Sequence, residues 1–409
     1  MLVKLAWRNL WRQKRRTILT ALAIALALFL SLLMRSFQEG QYTSNIENSA
    51  KSGMGLIQLQ NPEFRKSESI DDLLPGTDEF ILPAKAIKSI DHILPRINSF
   101  SLAAAGERSK GVMINGVAPQ PENAYTALAN KIVAGEYFTE NEKVVLIAEG
   151  VAKYFNLTVG DEIIFYGQGY RGQTAAGLYT IKGILRFPLK EQNNTQVYMP
   201  INLAHELFST EGQVTSWVFS LDSINSLDES VAALEQAYPN DISIRDWVDL
   251  SPELEQSIVL DRVGGQVMMY LLYGVVGFGL FATLLMMTLE RQREFSVMLA
   301  TGLLRSKLLL LVAIESIILG LLGVVIGASL ALPIIFYYYI NPIRLSGSIA
   351  EQMLEMGYEP IMPVSISPEL LVNQVVIVLA MLLICLIYPM WRINSLELVS
   401  GLKGGSNAS

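Results

Sequence analysis

Cysteine and histidine are nearly missing from this chain: it has one of the former, Cys385, and two of the latter, His92 and His205. A single thiol leaves no disulfide, no cysteine-rich metal site and no N-terminal lipidation cysteine in this chain. Two histidines 113 positions apart argue against a histidine-based metal centre. No G-x-x-x-x-G-K-[ST] run occurs, so the chain has no P-loop of its own to hold nucleotide. Tandem repeats and low-complexity tracts are absent as well. Charge is thin, at 17% of residues, and four long stretches are almost free of it.

Those stretches are residues 17–34, 267–289, 308–339 and 371–390. Each is near or above the roughly 20 apolar residues needed to cross about 30 Å of hydrocarbon. One stands alone near the N-terminus and three crowd the last third, with some 230 more polar residues between. The spacing predicts an α-helical membrane protein with four transmembrane helices in a 1+3 arrangement and a large α/β extracytoplasmic domain between helices 1 and 2. The expected divisions are an amphipathic elbow helix (1–16), helix 1 (17–35), the extracytoplasmic domain with helical stalk ends (36–266), and helix 2 (267–289). A cytoplasmic connector (290–307), helix 3 (308–339), a loop on the outer side (340–370), helix 4 (371–390) and a cytoplasmic tail (391–409) follow.

Lysine and arginine set the orientation, because cytoplasmic flanks collect them. The N-terminal flank, the 290–307 loop and the tail hold 12 bases against 3 acids, whereas residues 35–266 hold 18 bases against 30 acids. Both termini are therefore expected inside and the insert outside. The small-x-small sites Ala21-Leu22-Ala23 and Ala25-Leu26-Ala27 lie within the first apolar run rather than after it, which argues against a cleaved signal peptide. Upstream, Val3, Ala6, Trp7, Leu10 and Trp11 recur at helical spacing, and Lys4, Arg8, Arg12 and Arg15 line another side. This is the pattern of a helix in the headgroup plane, either a plain basic anchor or an elbow feeding the first span.

The insert reads as mixed α/β. Residues 55–60, 144–147, 163–166, 179–185, 197–199 and 217–221 have strand character, and 84–93, 150–155, 203–208 and 226–237 helical character. Polar, helix-compatible stretches at 36–52 and 249–263 continue spans one and two, and would make a stalk. Gly167-Gln168-Gly169-Tyr170-Arg171-Gly172 satisfies G-x-G-x-x-G after a strand-like run. A dinucleotide fold needs a helix to start there, but another strand-like run follows, so a loop is expected. Neither histidine sits in a nucleophile motif. The acid pairs Asp71-Asp72 and Asp161-Glu162 have no partner that spacing identifies, and are expected to be solvated loop charges.

Between spans two and three, Phe295, Met298, Leu299, Gly302 and Leu303 fall at i, i+3, i+4, i+7 and i+8, a short amphipathic helix. The run Glu290-Arg291-Gln292-Arg293-Glu294-Phe295-Ser296-Val297-Met298-Leu299-Ala300-Thr301-Gly302 resembles the coupling-helix segment of the FtsX/MacB/LolC-type ABC permeases, where R-x-x-E-F/I-x-x-x-x-A-x-G docks on the ATPase. The opening Trp7-Arg8-Asn9-Leu10 with its basic run, and the close Pro389-Met390-Trp391-Arg392 with Glu397 and Leu402, are similar to the same family. So are Glu315 with Gly320, Gly323 and Gly327 in span three. In the insert, Leu157-Thr158-Val159-Gly160-Asp161, and Gly183-Ile184-Leu185 before Val197-Tyr198-Met199-Pro200, look like its periplasmic domain.

The resemblance implies a type VII ABC transporter permease, closest in layout to the lipoprotein-releasing permeases. It implies a non-catalytic subunit with no cofactor of its own, ATP and Mg being bound by a cytoplasmic ABC ATPase dimer. The other implied partners are a second permease copy or a paralogue, a LolA-like periplasmic chaperone and lipoproteins; nucleic acid is not among them. Three outputs are open: lipoprotein release from the inner membrane, efflux of periplasmic substrates, and activation of a periplasmic partner enzyme. The insert's size and the lack of a fused ATPase favour the first.

On that reading Glu290, Arg291, Arg293, Glu294, Phe295, Met298, Leu299 and Gly302 couple to the ATPase. Leu28, Phe29, Leu32, Met268, Met269, Leu272 and Tyr273 line a substrate and lipid cavity. Phe187, Pro188, Lys190, Gln192, Asn193 and Asn194 form a chaperone-facing loop. Glu315, Gly320, Gly323 and Gly327 form a hinge in the membrane, although physics alone also fits a packing role for Glu315. A carboxylate at that depth needs a partner or water, and the glycines permit close helix packing.

Overall fold

The computed structural model describes residues 2–12, 14–67, 69–187, 189–238, 241–355 and 360–395. Pro188, Glu397 and Leu402, singled out above, lie outside the described residues. The chain divides into two compact units, one comprising Met1–Tyr42, Ile258–Ile343 and Met362–Ser409, the other Thr43–Ser257 and Arg344–Ile361. Part of the expected 340–370 loop thus belongs with the insert.

The first unit is helical. We label its helices α1 (Leu2–Arg12), α2 (Lys14–Ser49), α3 (Pro252–Glu290), α4 (Gln292–Ala300), α5 (Arg305–Ile340) and α6 (Pro368–Asn394). Four of them, α2, α3, α5 and α6, are long and apolar enough to cross a membrane. In hydrocarbon a helix satisfies its backbone hydrogen bonds internally, so an uncharged sequence of this length has little alternative. Their shared core holds Ile24, Leu28, Leu32, Leu319, Val378 and Leu382. Helix α1 packs on α5 through buried Ala6 and Leu10 and leaves Val3, Trp7 and Trp11 exposed. The two indoles meet edge to face, 5.9 Å apart, as amphipathic rings do at a membrane surface.

Glycines set how closely α5 approaches its neighbours. A Cβ on Gly323 would lie 2.6 Å from Ile24 Cβ, and one on Gly327 2.7 Å from the Ala25 carbonyl oxygen, both on α2. One on Gly320 would meet Leu382 and Leu379 of α6 at 3.3 and 3.4 Å.

The second unit is built on a ten-stranded sheet. Its strands are β1 (Ile57–Gln60), β2 (Ile90–Ala105), β3 (Arg108–Val117), β4 (Ile132–Gly135), β5 (Val144–Ala148), β6 (Glu162–Gln168), β7 (Thr174–Leu185), β8 (Gln196–Pro200), β9 (Ser216–Leu221) and β10 (Ser243–Asp246). The pairing runs β10-β1-β9-β2-β3-β8-β5-β7-β4, and β6 bridges β2 and β7. Strands β2, β3, β8, β5, β7 and β6 therefore close into a ring, whose interior is filled by residues such as Ile97, Ile114, Val145, Phe165, Ile181 and Val197. The long β2 is shared: Ile90–Arg96 pair with β9, and Leu102–Ala104 with β6.

Two expectations need correction. Residues 84–93 are not one helix, because a helix spans Asp78–Lys85 and β2 starts at Ile90. Strands β2 and β3, the longest hairpin, were not anticipated. In β2 the pattern is inverted, with Ser99 and Ser101 buried while Phe100 and Leu102 are 64% and 42% exposed. Of the glycine run at 167–172, Gly167 and Gln168 end β6 and the remainder is the loop to β7, with one short 3₁₀ turn at Tyr170–Gly172.

Candidate coupling site

A single residue, Arg291, separates α3 from α4. The turn aims its side chain inward, and only 7% of that side chain is exposed. Its Nη1 donates to Glu315 Oε2, and its Nη2 to Glu315 Oε1 at 3.2 Å. Asn9 Nδ2 of α1 donates to the same Oε1 at 2.8 Å. Glu315 therefore receives donors from two directions, which a buried carboxylate requires. Burial works against the Arg291 cation, but Glu315 and Glu294 outweigh it and hold the guanidinium above its usual value. The guanidinium also lies 5.1 Å from the Phe295 ring centre, within cation–π range. A cavity of about 20 Å³ beside Thr288, Arg291 and Glu315 has room for about one water.

Two more exposed ion pairs flank this network. Arg16 donates to both oxygens of Glu290, and Arg12 to Glu294. The Arg12 hydrogen bond leads in holding the Glu294 carboxyl below its usual range. Each such pair contributes roughly 0–1 kcal/mol, so their main effect is to fix the ends of α1 and α2 against the α3–α4 corner.

Helix α4 divides its residues cleanly. Phe295 and Ser296 are buried, Phe295 among Leu308, Val312 and Ile393, with Met298 and Leu299 packed beside it. Arg293, Val297, Ala300 and Thr301 face outward. Gly302 is exposed at φ +95°, and its N–H donates to the Leu299 carbonyl while Leu303 N–H donates to Met298. That pair of bonds is a Schellman termination, which favours glycine at this position.

The other residues singled out from sequence do not gather as one site. Leu28 and Leu32 are buried in the helical core, with Phe29 and Tyr273 packed against it. Met269 is buried, Leu272 half-buried, and Met268 60% exposed. Tyr273 donates its hydroxyl to Gln374 Oε1 of α6. In the 187–196 segment, Lys190–Thr195 form a short helix. Lys190 and Asn194 are exposed, Gln192 and Asn193 half-buried. Phe187 departs from the exposed loop expected: it is 3% exposed, stacked at 5.9 Å on Tyr198. Asn193 Oδ1 accepts the Phe187 N–H at 3.1 Å, which holds that turn closed. Arg12 and Arg16, the partners of Glu294 and Glu290, were legible only as basic flank residues.

Residues 17–237 match the MacB-like periplasmic core domain, and residues 267–398 the FtsX-like permease C-terminal region. Among curated proteins, the lipoprotein-releasing system transmembrane protein LolC of Neisseria meningitidis is 20% identical over 59% of this chain and 60% of its own length. The uncharacterized ABC transporter permease YknZ of Bacillus subtilis is 24% identical over 80% of this chain and 83% of its own. The macrolide export ATP-binding/permease protein MacB of Hyphomonas neptunium is 24% identical, over 82% of this chain and 53% of its own. The chain thus spans about three fifths of that LolC and about half of that MacB.

Proposed function

This chain belongs to the ABC transporter permeases with a MacB-like periplasmic core domain and an FtsX-like C-terminal region, and we propose that it serves lipoprotein release from the inner membrane. It is a multi-pass membrane protein. In this reading both termini are cytoplasmic, the four helices span in a 1+3 arrangement, and the chain pairs with a second copy or a paralogue. A separate ATPase dimer binds ATP and Mg, and a LolA-like chaperone receives the lipoprotein.

The observation that carries the coupling part is the buried Asn9–Glu315–Arg291 network. A push on the outward residues of α4 reaches Arg291 at its first turn, and through Glu315 it moves α5 and α1 together. The exposed pair Arg12–Glu294 adds a second tie to α1, and Arg16–Glu290 extends the link to α2. Helices α2 and α3 are the two with residues in both units, so movement of the helical unit is carried along them into the sheet domain. The likeness to a lipoprotein-releasing LolC supports the output.

The test reconstitutes this chain with its ATPase in liposomes carrying a lipoprotein and adds a LolA-like chaperone. ATP-dependent appearance of the lipoprotein in the soluble fraction is expected, and no transfer would sink this output. A second reading, efflux of periplasmic substrates, is favoured by relatives named for macrolide and pyoverdine export; ATP-dependent export without lipoprotein transfer would select it.

A further inference from the structure

Strand β1 is paired on both sides, by β9 and β10, and all four of its residues are buried. A strand so placed usually reads as a continuous apolar run, yet here every second residue is a glutamine, Gln58 and Gln60, each 5% exposed. Buried amides are costly unless they are used. Both glutamines line a cavity of about 580 Å³ within the sheet unit, together with Asn98, Asn115, Gln192 and Gln196. The size is within the ordinary range for a small-molecule site.

Much of the wall is already set by internal bonds. Gln60 Nε2 donates to Gln58 Oε1 at 2.7 Å, Gln58 Nε2 to the Met54 carbonyl at 2.6 Å, and Asn115 Nδ2 to Gln196 Oε1 at 2.5 Å. Two acceptors in the wall, Asn98 Oδ1 and Gln192 Oε1, are buried and have no hydrogen-bond partner among the described residues. They call for a ligand that brings N–H or O–H donors.

Charge narrows the choice. Among the described residues no carboxylate lines the cavity, so an ammonium group would find no counter-charge from them. The two arginines among the described lining residues are engaged: Arg96 donates to both oxygens of buried Glu122, at 3.0 and 2.7 Å, and Arg245 to Gln60 Oε1 at 3.1 Å and the Asp249 carbonyl. Phe64, Tyr198 and Phe100, itself 64% exposed, supply apolar faces around the amides. We propose that this cavity binds an uncharged, hydroxyl-rich ligand the size of one or two sugar rings. Hydroxyls satisfy the open amide oxygens, and the C–H faces of a pyranose ring cover the aromatic surfaces. The proposal is independent of which cargo the permease serves.

The test uses the full chain in lipid nanodiscs and saturation-transfer NMR with three neutral probes, N-acetylglucosamine, its β-1,4 disaccharide and maltose. N-acetyl-glycyl-glycine amide serves as an uncharged peptide probe. Saturable binding of at least one sugar is expected, weakened about tenfold by Asn98→Ala and by Gln192→Ala, the loss of one hydrogen bond to a buried acceptor. Thermal unfolding of each variant checks the fold, and Gln192, on the short helix Lys190–Thr195, carries the test if Asn98→Ala misfolds. The proposal is overturned if no sugar binds at millimolar concentration, if both variants bind sugar unchanged, or if only the peptide amide binds.

Discussion

Arg291 and Glu315, 24 positions apart, face each other with 7% and 6% of their side chains exposed, and Asn9 closes the third side. The turn between two helices is thereby locked to the N-terminal third of another, α5. Removing one member of such a pair leaves an uncompensated buried charge, whereas removing both leaves an apolar gap that can repack.

Glu315→Ala should accordingly lower stability by about 3–5 kcal/mol, and Arg291→Met with Glu315→Leu should recover most of that loss. Thermal unfolding of the detergent-purified chain measures both. If the double variant is no more stable than Glu315→Ala, the pair is not the structural link described here.

Phe295 and Val297 sit two residues apart on α4, yet they answer to different forces. Phe295 is 1% exposed in an apolar cluster and Val297 is 47% exposed. Phe295→Ala should cost about 3–5 kcal/mol as a cavity in the core. Val297→Asp and Arg293→Glu should leave the unfolding temperature within a few degrees of the parent and abolish co-purification with the proposed ATPase partner. Unchanged co-purification of both surface variants would remove α4 as the docking element.

How much of this was readable beforehand depended on whether the cause was local. The four apolar helices follow from uncharged runs and the amphipathic α4 from periodicity, both within short windows, but α4 ends at Ala300, so Gly302 and Leu303 of the expected face lie beyond it. The need of Glu315 for a partner was legible from its place in an apolar run; the identity of Asn9, 306 positions away, was not, since only the fold brings α1 against α5. Strand β2 misled because its interior positions, Ser99 and Ser101, are small and polar while Phe100 and Leu102 face out. Phe187 was read as part of a polar loop because its neighbours are polar, but the contact that buries it comes from Tyr198 on β8.

Close packing of α5 on α2 gives a graded test. A Cβ at Gly323 or Gly327 would meet the backbone or Cβ of α2 at 2.6–2.7 Å, whereas Gly320 meets only flexible leucine ends at 3.3–3.4 Å. Gly323→Leu and Gly327→Leu should each destabilise by about 1–3 kcal/mol or more through forced helix separation, and Gly320→Ala by under about 1.5 kcal/mol. Equal effects at the three sites, read from unfolding temperatures in one detergent, would contradict the packing described.

Acid sensitivity of the sheet unit should pass partly through Glu149. Hydrogen bonds from Arg186 first, then Lys153, lower its carboxyl to about 2 from 4.5. Arg186 Nε and Nη2 each donate to it at 3.0 Å. A carboxylate held below its unfolded value stabilises the fold above pH about 4.5, and that contribution is lost as pH falls toward about 2. Arg186→Met removes the main cause, so the variant should start less stable at pH 7 and lose less on acidification to pH about 3. The pair is partly exposed, with 61% of the arginine side chain in solvent, so the difference is expected to be small and to shrink further in high salt. Unfolding midpoints at the two pH values, at low and high salt, decide it: parallel losses in parent and variant would mean that the Arg186–Glu149 contact adds nothing to acid stability.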